Sequence, residues 1–221
     1  MKLLSVSADA KTVKGEKKGY LTGILYLIPN RILCPSCSAG CRKACLVSAG
    51  HGQMKYVYKA RARKTQMYLH KFNMFKRFLI EDIEELIKRA EHKGFTPCVR
   101  INGTSDIDVE RVFGDVLEMF ETVRFYDYTK VWSKEVSHKN YHLTYSRSEK
   151  TPFEDVEDAV YSGKNVAVVF DKVPEKWRGL TVVNGDETDL RFLDPQGVIV
   201  GLTAKGKARK DTTGFVVRVE Q

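Results

Sequence analysis

Four of the five cysteines in this 221-residue chain fall within twelve residues, as Cys34-Pro-Ser-Cys37-Ser-Ala-Gly-Cys41-Arg-Lys-Ala-Cys45. Four thiolates at such spacing are a ligand set for a metal ion or an iron–sulfur cluster. Two disulfides in so short a loop would force the sulfur geometry. Structural zinc sites separate two cysteine pairs by a longer excursion, so the spacing favours an iron–sulfur cluster over zinc. A four-iron, four-sulfide cubane (4Fe–4S) held by Cys34, Cys37, Cys41 and Cys45 is the first expectation. Cys98 stands apart and reads as a small buried apolar residue, and a larger cluster is the case in which it would join.

A second group of chemically capable residues recurs downstream, each time after an apolar run. Cys98-Val-Arg-Ile-Asn-Gly-Thr-Ser-Asp106 ends in Asn102, Thr104, Ser105 and Asp106, and Val123 to Lys130 ends in Asp127, Tyr128, Thr129 and Lys130. Tyr141 to Glu149 supplies Ser146, Arg147 and Glu149, and the later runs supply Asn184, Asp186, Thr203 and Lys205. Any one of these clusters is equally a turn or a helix cap. Five in series place polar groups where parallel β/α sheets bind ligands, at the carboxyl ends of the strands. Asp106, Asp127, Lys130, Arg147, Asp186 and Lys205 are therefore the candidate acid/base or contact groups, and Asn102, Thr104, Ser105 and Ser146 the candidate cofactor- or substrate-binding groups.

The elements that would position these residues are legible from periodicity. Tyr20 to Ile28 is an apolar, β-branched and aromatic run stopped by Pro29-Asn30, as a buried strand is, and the cysteine loop follows it. Met54 to Lys93 is a long helical stretch, two helices with a bend near His70 to Asn73, closed by Gly94. Further strands are expected at 98–102, 123–128, 141–145, 165–170, 180–183 and 198–202, with amphipathic helices at 108–121 and 152–161. Near-continuous apolar strands alternating with helices predict an α/β fold, a parallel β/α barrel that is compact or incomplete (TIM-like), with the cysteine-rich loop after its first strand. One domain over residues 1–221 is expected, preceded by a polar segment at 1–19.

The net charge of +9 is unevenly distributed. Lys55, Lys59, Arg61, Arg63, Lys64, Lys71, Lys76 and Arg77 occur without an acidic residue from Met54 to Arg77, interleaved with tyrosines and phenylalanines. This Lys55–Arg77 surface suits nucleic acid or another anionic ligand, and is equally a solvated helix face with its aromatics turned inward. Neither a basic-then-apolar leader nor an apolar run of bilayer length is present, so a soluble, cytoplasmic protein without a membrane partner is expected. There is no P-loop and no full dinucleotide fingerprint.

The cysteine run, Ala49-Gly50, Ala60-Arg61, Arg63-Lys64-Thr65, the 99–106 and 125–130 motifs, Tyr141 to Ser146 and Asn165 to Phe170 together resemble the phage "gene product eighty-eight" family, over most of the chain from Tyr20 onward. That resemblance implies a phage-encoded protein in the bacterial host cytoplasm and implies no particular reaction. A weaker resemblance is to radical S-adenosylmethionine enzymes, which carry a four-iron cluster on a cysteine loop after the first strand of a β/α barrel, with S-adenosylmethionine as the implied cofactor. Their C-x3-C-x2-C spacing differs from the x2, x3, x3 spacing here. Four thiolates on one cubane leave no iron open to that cofactor.

Three functions follow as expectations. The first is an iron–sulfur enzyme, radical-type or redox, acting on a small-molecule or nucleotide-like substrate at the carboxyl rim. The second is an iron–sulfur module binding nucleic acid, and the third a structural-zinc phage protein that engages a host target.

Overall fold

The computed structural model describes residues 1–7 and 10–219. They form ten strands and six α-helices in a mixed α/β arrangement, with mostly parallel strand pairing. In chain order these are β1 (Leu4–Val6), α1 (Ala10–Glu16), β2 (Tyr20–Leu25), α2 (Ala39–Lys43), α3 (Lys55–His70), α4 (Phe72–Lys93), β3 (Thr96–Arg100), α5 (Val109–Met119), β4 (Arg124–Thr129), β5 (Tyr141–Ser146), α6 (Phe153–Tyr161), β6 (Val166–Phe170), β7 (Lys176–Trp177), β8 (Leu180–Asn184), β9 (Ile199–Thr203) and β10 (Val216–Val217). The described residues divide into two compact units. Of the described residues, the first holds 1–7, 10–35, 53–127 and 135–142, and the second 36–52, 128–134 and 143–219.

In the first unit β2 pairs parallel with β3, β3 pairs parallel with β4, and β1 lies antiparallel on the outer side of β2. The strands are buried because α4 lies across them, presenting Phe75, Leu79, Ile83, Leu86 and Ala90 at helical spacing. The predicted bend falls at Lys71, whose φ of −140° interrupts the helix, and Gly94 ends α4 in the left-handed conformation (φ 66°). Tyr68, Phe72, Phe75 and Phe113 pack together at the α3–α4–α5 junction, Tyr68 edge-on to Phe72 and Phe75. The segment expected to be a polar lead-in contributes β1 and α1. Leu3 is fully buried, and the Asp82 carboxylate accepts the Leu3 and Leu4 amides at 2.6 and 2.8 Å.

In the second unit the order is β5-β6-β9-β8-β7, parallel except for the β7–β8 hairpin, and β10 continues along β6 beyond β5. Its main core joins Val156 and Val160 of α6 to Val166, Val168, Phe170, Leu180 and Ile199. A smaller cluster of Ala44, Ala204, Ala208, Phe215 and Val216 packs against Val169 of β6.

The expectation of a TIM-like barrel needs correction. Closure requires every strand to have two neighbours. Here β1 pairs with β2 alone in the first unit and β7 with β8 alone in the second, each antiparallel, so the strands of neither unit close into a barrel.

Gly103 shows how closely the loop after β3 is fitted. Its amide donates to the Leu25 carbonyl at 3.0 Å, and a Cβ at this position would stand 2.6 Å from that oxygen and 2.7 Å from Ile24 Cγ2. Gly103→Ala is therefore expected to destabilise the protein by roughly 1–3 kcal/mol through overpacking against backbone, read as a lowered denaturant midpoint.

Candidate functional site

Parallel pairing brings the segment after β2 onto the loop after β3. Thr104 Oγ1 donates to the Leu27 carbonyl at 2.6 Å and the Asp106 amide to the Leu33 carbonyl at 2.7 Å. Cys34 comes next, its thiol 3.9 Å from the Thr104 carbonyl. The first cysteine thus sits at the carboxyl edge of the first unit's strands, as the chain order β2–loop predicts.

The other candidates of that unit form a buried lock. Asn102 Oδ1 accepts from Ser105 Oγ and from the Ile107 amide, both at 2.8 Å, while its Nδ2 donates to the Ile107 carbonyl. The Asn102 amide donates to Asp127 Oδ1 at 2.6 Å, and the Tyr141 hydroxyl donates to Oδ2 at 3.4 Å. Asp127 has no solvent exposure, and burial pushes its carboxyl up to about 7, against the opposing pull of Arg100 and the Asn102 amide. Asn102, Ser105 and Asp127 therefore hold the loop together, with their polar atoms turned on one another.

Cys37, Cys41 and Cys45 belong to the second unit. Ser38 caps α2, its Oγ accepting from the Cys41 amide at 3.0 Å. Glu149, in the loop after β5, takes the Ser38 hydroxyl at 2.5 Å and the Gly40 amide at 2.8 Å. Burial alone would raise this carboxyl, but the Ser38 and Gly40 hydrogen bonds hold it below the usual range. Gly40 has no room for a side chain, since a Cβ would meet Glu149 Oε2 at 2.6 Å and Phe215 Cβ at 2.8 Å. The cysteine loop is thereby anchored over the carboxyl ends of β5 and β9, with Cys41 against the Ala204–Ala208–Phe215 cluster. Glu149 was visible in the sequence only as one more polar residue. The signal for its role was the Ser38-x-Gly40 pair inside the cysteine run, a cap followed by a residue without a side chain.

Burial pushes the Cys41 thiol upward. Lys130 opposes this, and Cys45 and Cys37 add to it, so the three thiols share one electrostatic neighbourhood. The Cys37 sulfur also receives Arg42 Nη2 at 3.6 Å. Lys130 in turn donates to Ser146 Oγ at 2.7 Å and stands over the Phe215 ring. Arg147 donates to the Gly214 carbonyl at 2.9 Å. Asp186 and Lys205 form an ion pair at 2.9 Å, with the second Asp186 oxygen accepting the Thr203 amide. Among the described residues no disulfide is present, and no three His, Cys, Asp or Glu side chains are gathered as a ready metal-holding group. Cys98 is fully buried in β3, and burial pushes its thiol far up, as an inert core cysteine requires.

The family match covers both units: a model described as Gene product 88 aligns with residues 2–219. The chain belongs to the Gene product 88 family. This bears out the resemblance carried by the cysteine run and the strand-end motifs, and with it a phage protein. No curated protein and no solved structure matches the chain, and the resemblance to radical S-adenosylmethionine enzymes gains no support. In this Gene product 88 protein no described helix is long and apolar enough to cross a membrane.

The basic stretch of the Gene product 88 chain is divided by the fold. Lys55, Lys59, Arg63, Lys71 and Arg77 are exposed, with Tyr56 and Tyr58 beside the first of them. Lys64 is turned inward instead. It donates to the Leu3 carbonyl at 2.6 Å, and burial lowers its pKa. Arg61 lies 4.6 Å over the Tyr26 ring.

Proposed function

We propose that this protein holds an iron–sulfur cluster on the Cys34–Cys45 loop and acts beside it on a small or nucleotide-like substrate at the carboxyl edge of the β5, β6, β9 and β8 strands. One observation carries the reading: Cys37, Cys41 and Cys45 share a neighbourhood with two cations, Lys130 and Arg42, on a loop anchored by Glu149. A thiolate-ligated cluster is anionic overall, and positive groups beside its sulfurs stabilise it and raise its potential. The donor chemistry suits such a cluster: the four cysteines of one short segment are uncommitted to disulfides. Cys34 would complete the set. When bound, the cluster would supply electron transfer or direct substrate chemistry. Lys130, Ser146, Arg147, Asp186 and Lys205 would contact substrate or move its protons, while Asn102, Thr104, Ser105, Asp106 and Asp127 would hold the other strand-end loop. S-adenosylmethionine enters this reading only if one of the four cysteines is not a ligand.

Purification without oxygen, followed by iron, sulfide and zinc analysis, tests the proposal. About four iron and four sulfide per chain is the expected result. Zinc without sulfide would overturn it and leave a structural-zinc protein that engages a host target. A second reading, nucleic-acid binding, is favoured by exposed Tyr56 and Tyr58 flanked by Lys55, Lys59 and Arg63. Charge reversal at Lys59 and Arg63 tests it, because these two are exposed where Arg61 and Lys64 are not.

A further inference from the structure

The β7–β8 hairpin turns through Arg178-Gly179, between the paired residues Trp177 and Leu180. Both turn residues have positive φ, 50° for Arg178 and 87° for Gly179. A two-residue hairpin of this kind selects Asn, Asp or Gly at its first position, and a long side chain there is strained. Strain of that sort persists where the side chain serves a purpose beyond folding. The Arg178 guanidinium lies 4.7 Å over the Phe153 ring and 6.0 Å over Trp177, while Arg147 approaches the same indole at 5.9 Å.

Beside the hairpin is an open cavity of about 670 Å³, and its wall carries Arg147, Lys176, Arg178 and Arg218 with no carboxylate among the described lining residues. Among the described residues two acids stand near: Asp171 lies 3.7 Å from Arg218, whose Nη2 donates to the Arg209 and Asp211 carbonyls, and Glu149 acts on Arg147 from the loop after β5. Arg147 commits Nη1 to the Gly214 and Phe215 carbonyls, which fixes the guanidinium plane and leaves its other edge for a ligand. Burial lowers the Arg147 pKa; Glu149 opposes this, and Arg178 adds to it. Holding cations together against their own repulsion is unfavourable until an anion arrives between them.

We infer that this cavity binds the phosphate groups of a nucleotide, with Arg147, Lys176, Arg178 and Arg218 as the phosphate contacts and the Trp177 indole as an apolar wall for the rest of the ligand. The depression is open to solvent on one side and large enough for a nucleotide's phosphates. The inference deepens the proposal above by naming the substrate class, sharing Arg147 with it. It rests on that reading for the role of the site but not on the metal.

The test is calorimetric titration of ADP into the full chain at low salt, with Arg178→Asn and Lys176→Gln as variants. Asn is a preferred residue for this turn, so the first variant is expected to fold at least as well as the parent. Each variant is expected to weaken ADP binding about tenfold, as removal of a charge-assisted contact does, while iron content stays at the parent level. No ADP binding by the parent, or unchanged binding in both variants, overturns the inference. So does tight, salt-sensitive binding of an oligothymidylate that ADP does not displace, which would assign the face to a nucleic-acid backbone. Loss of iron with ADP binding retained would count against the cluster proposal alone.

Discussion

Cys41→Ser purified without oxygen is expected to retain more than about tenfold less iron than the parent while remaining folded. Serine is nearly the same size as cysteine but offers an alcohol in place of a thiolate, and iron–sulfur clusters depend on thiolate donors. The local structure tolerates the change. The Cys41 amide, not its thiol, makes the bond to Ser38, and the side chain is only partly buried against Ala44 and Phe215. Cys37→Ser, beside Arg42, is expected to give the same loss. Cys98→Ala is the control: that thiol is buried in β3, and its removal is expected to leave the iron content unchanged. Circular dichroism on each sample separates loss of cluster from loss of fold. Full iron retention in both serine variants would sink the proposal, and iron loss in Cys98→Ala would bring the fifth cysteine into the ligand set.

The second large effect is a pH dependence of stability set by Asp127. Its carboxyl ionises near the ordinary value of 3.8 in the unfolded chain and at about 7 when folded. Below 3.8 it is protonated in both states, and its contribution to stability is fully present. As pH rises toward 7 the unfolded state gives up its proton while the folded state keeps it, so stability falls across that interval and levels off above it. The interval is worth on the order of 4 kcal/mol. Asp127→Asn keeps the oxygen that accepts the Asn102 amide and removes the ionisation. The variant is therefore expected to gain on the parent progressively between pH 3.8 and about 7, and to hold that gain in alkali. Urea midpoints measured across this range check it, and parallel curves for the two proteins would show that Asp127 ionises normally.

Asp127 also marks where reading the chain reached its limit. Its position at a strand end followed from the apolar run before it, but its neighbours Arg100, Asn102 and Tyr141 are distant in sequence, and only their convergence sealed it from water. The same holds for Lys64. It belongs to a helical run of cations, yet pairing of β1 with β2 placed the Leu3 carbonyl within its reach and turned it partly inward.

Residue order by itself determined most of the elements. The alternation of apolar strands with α5 and α6, the break at Lys71, the stop at Gly94 and the cysteine loop after β2 are all encoded over a few residues, where hydrophobic periodicity and backbone preference act directly. The clustering of four thiols in twelve positions likewise needed no fold to be seen. Tertiary structure alone decided the rest. Strands of two or three residues, such as β1, β7 and β10, exist because a partner supplies their hydrogen bonds, and no periodicity announces so short a segment. That neither unit closes into a barrel follows from which strands end up unpaired on one side. The anchoring of the cysteine loop by Glu149, and the cationic cavity beside the Arg178 turn, arise from groups far apart in the chain, whose desolvation and mutual field appear only when folding brings them together.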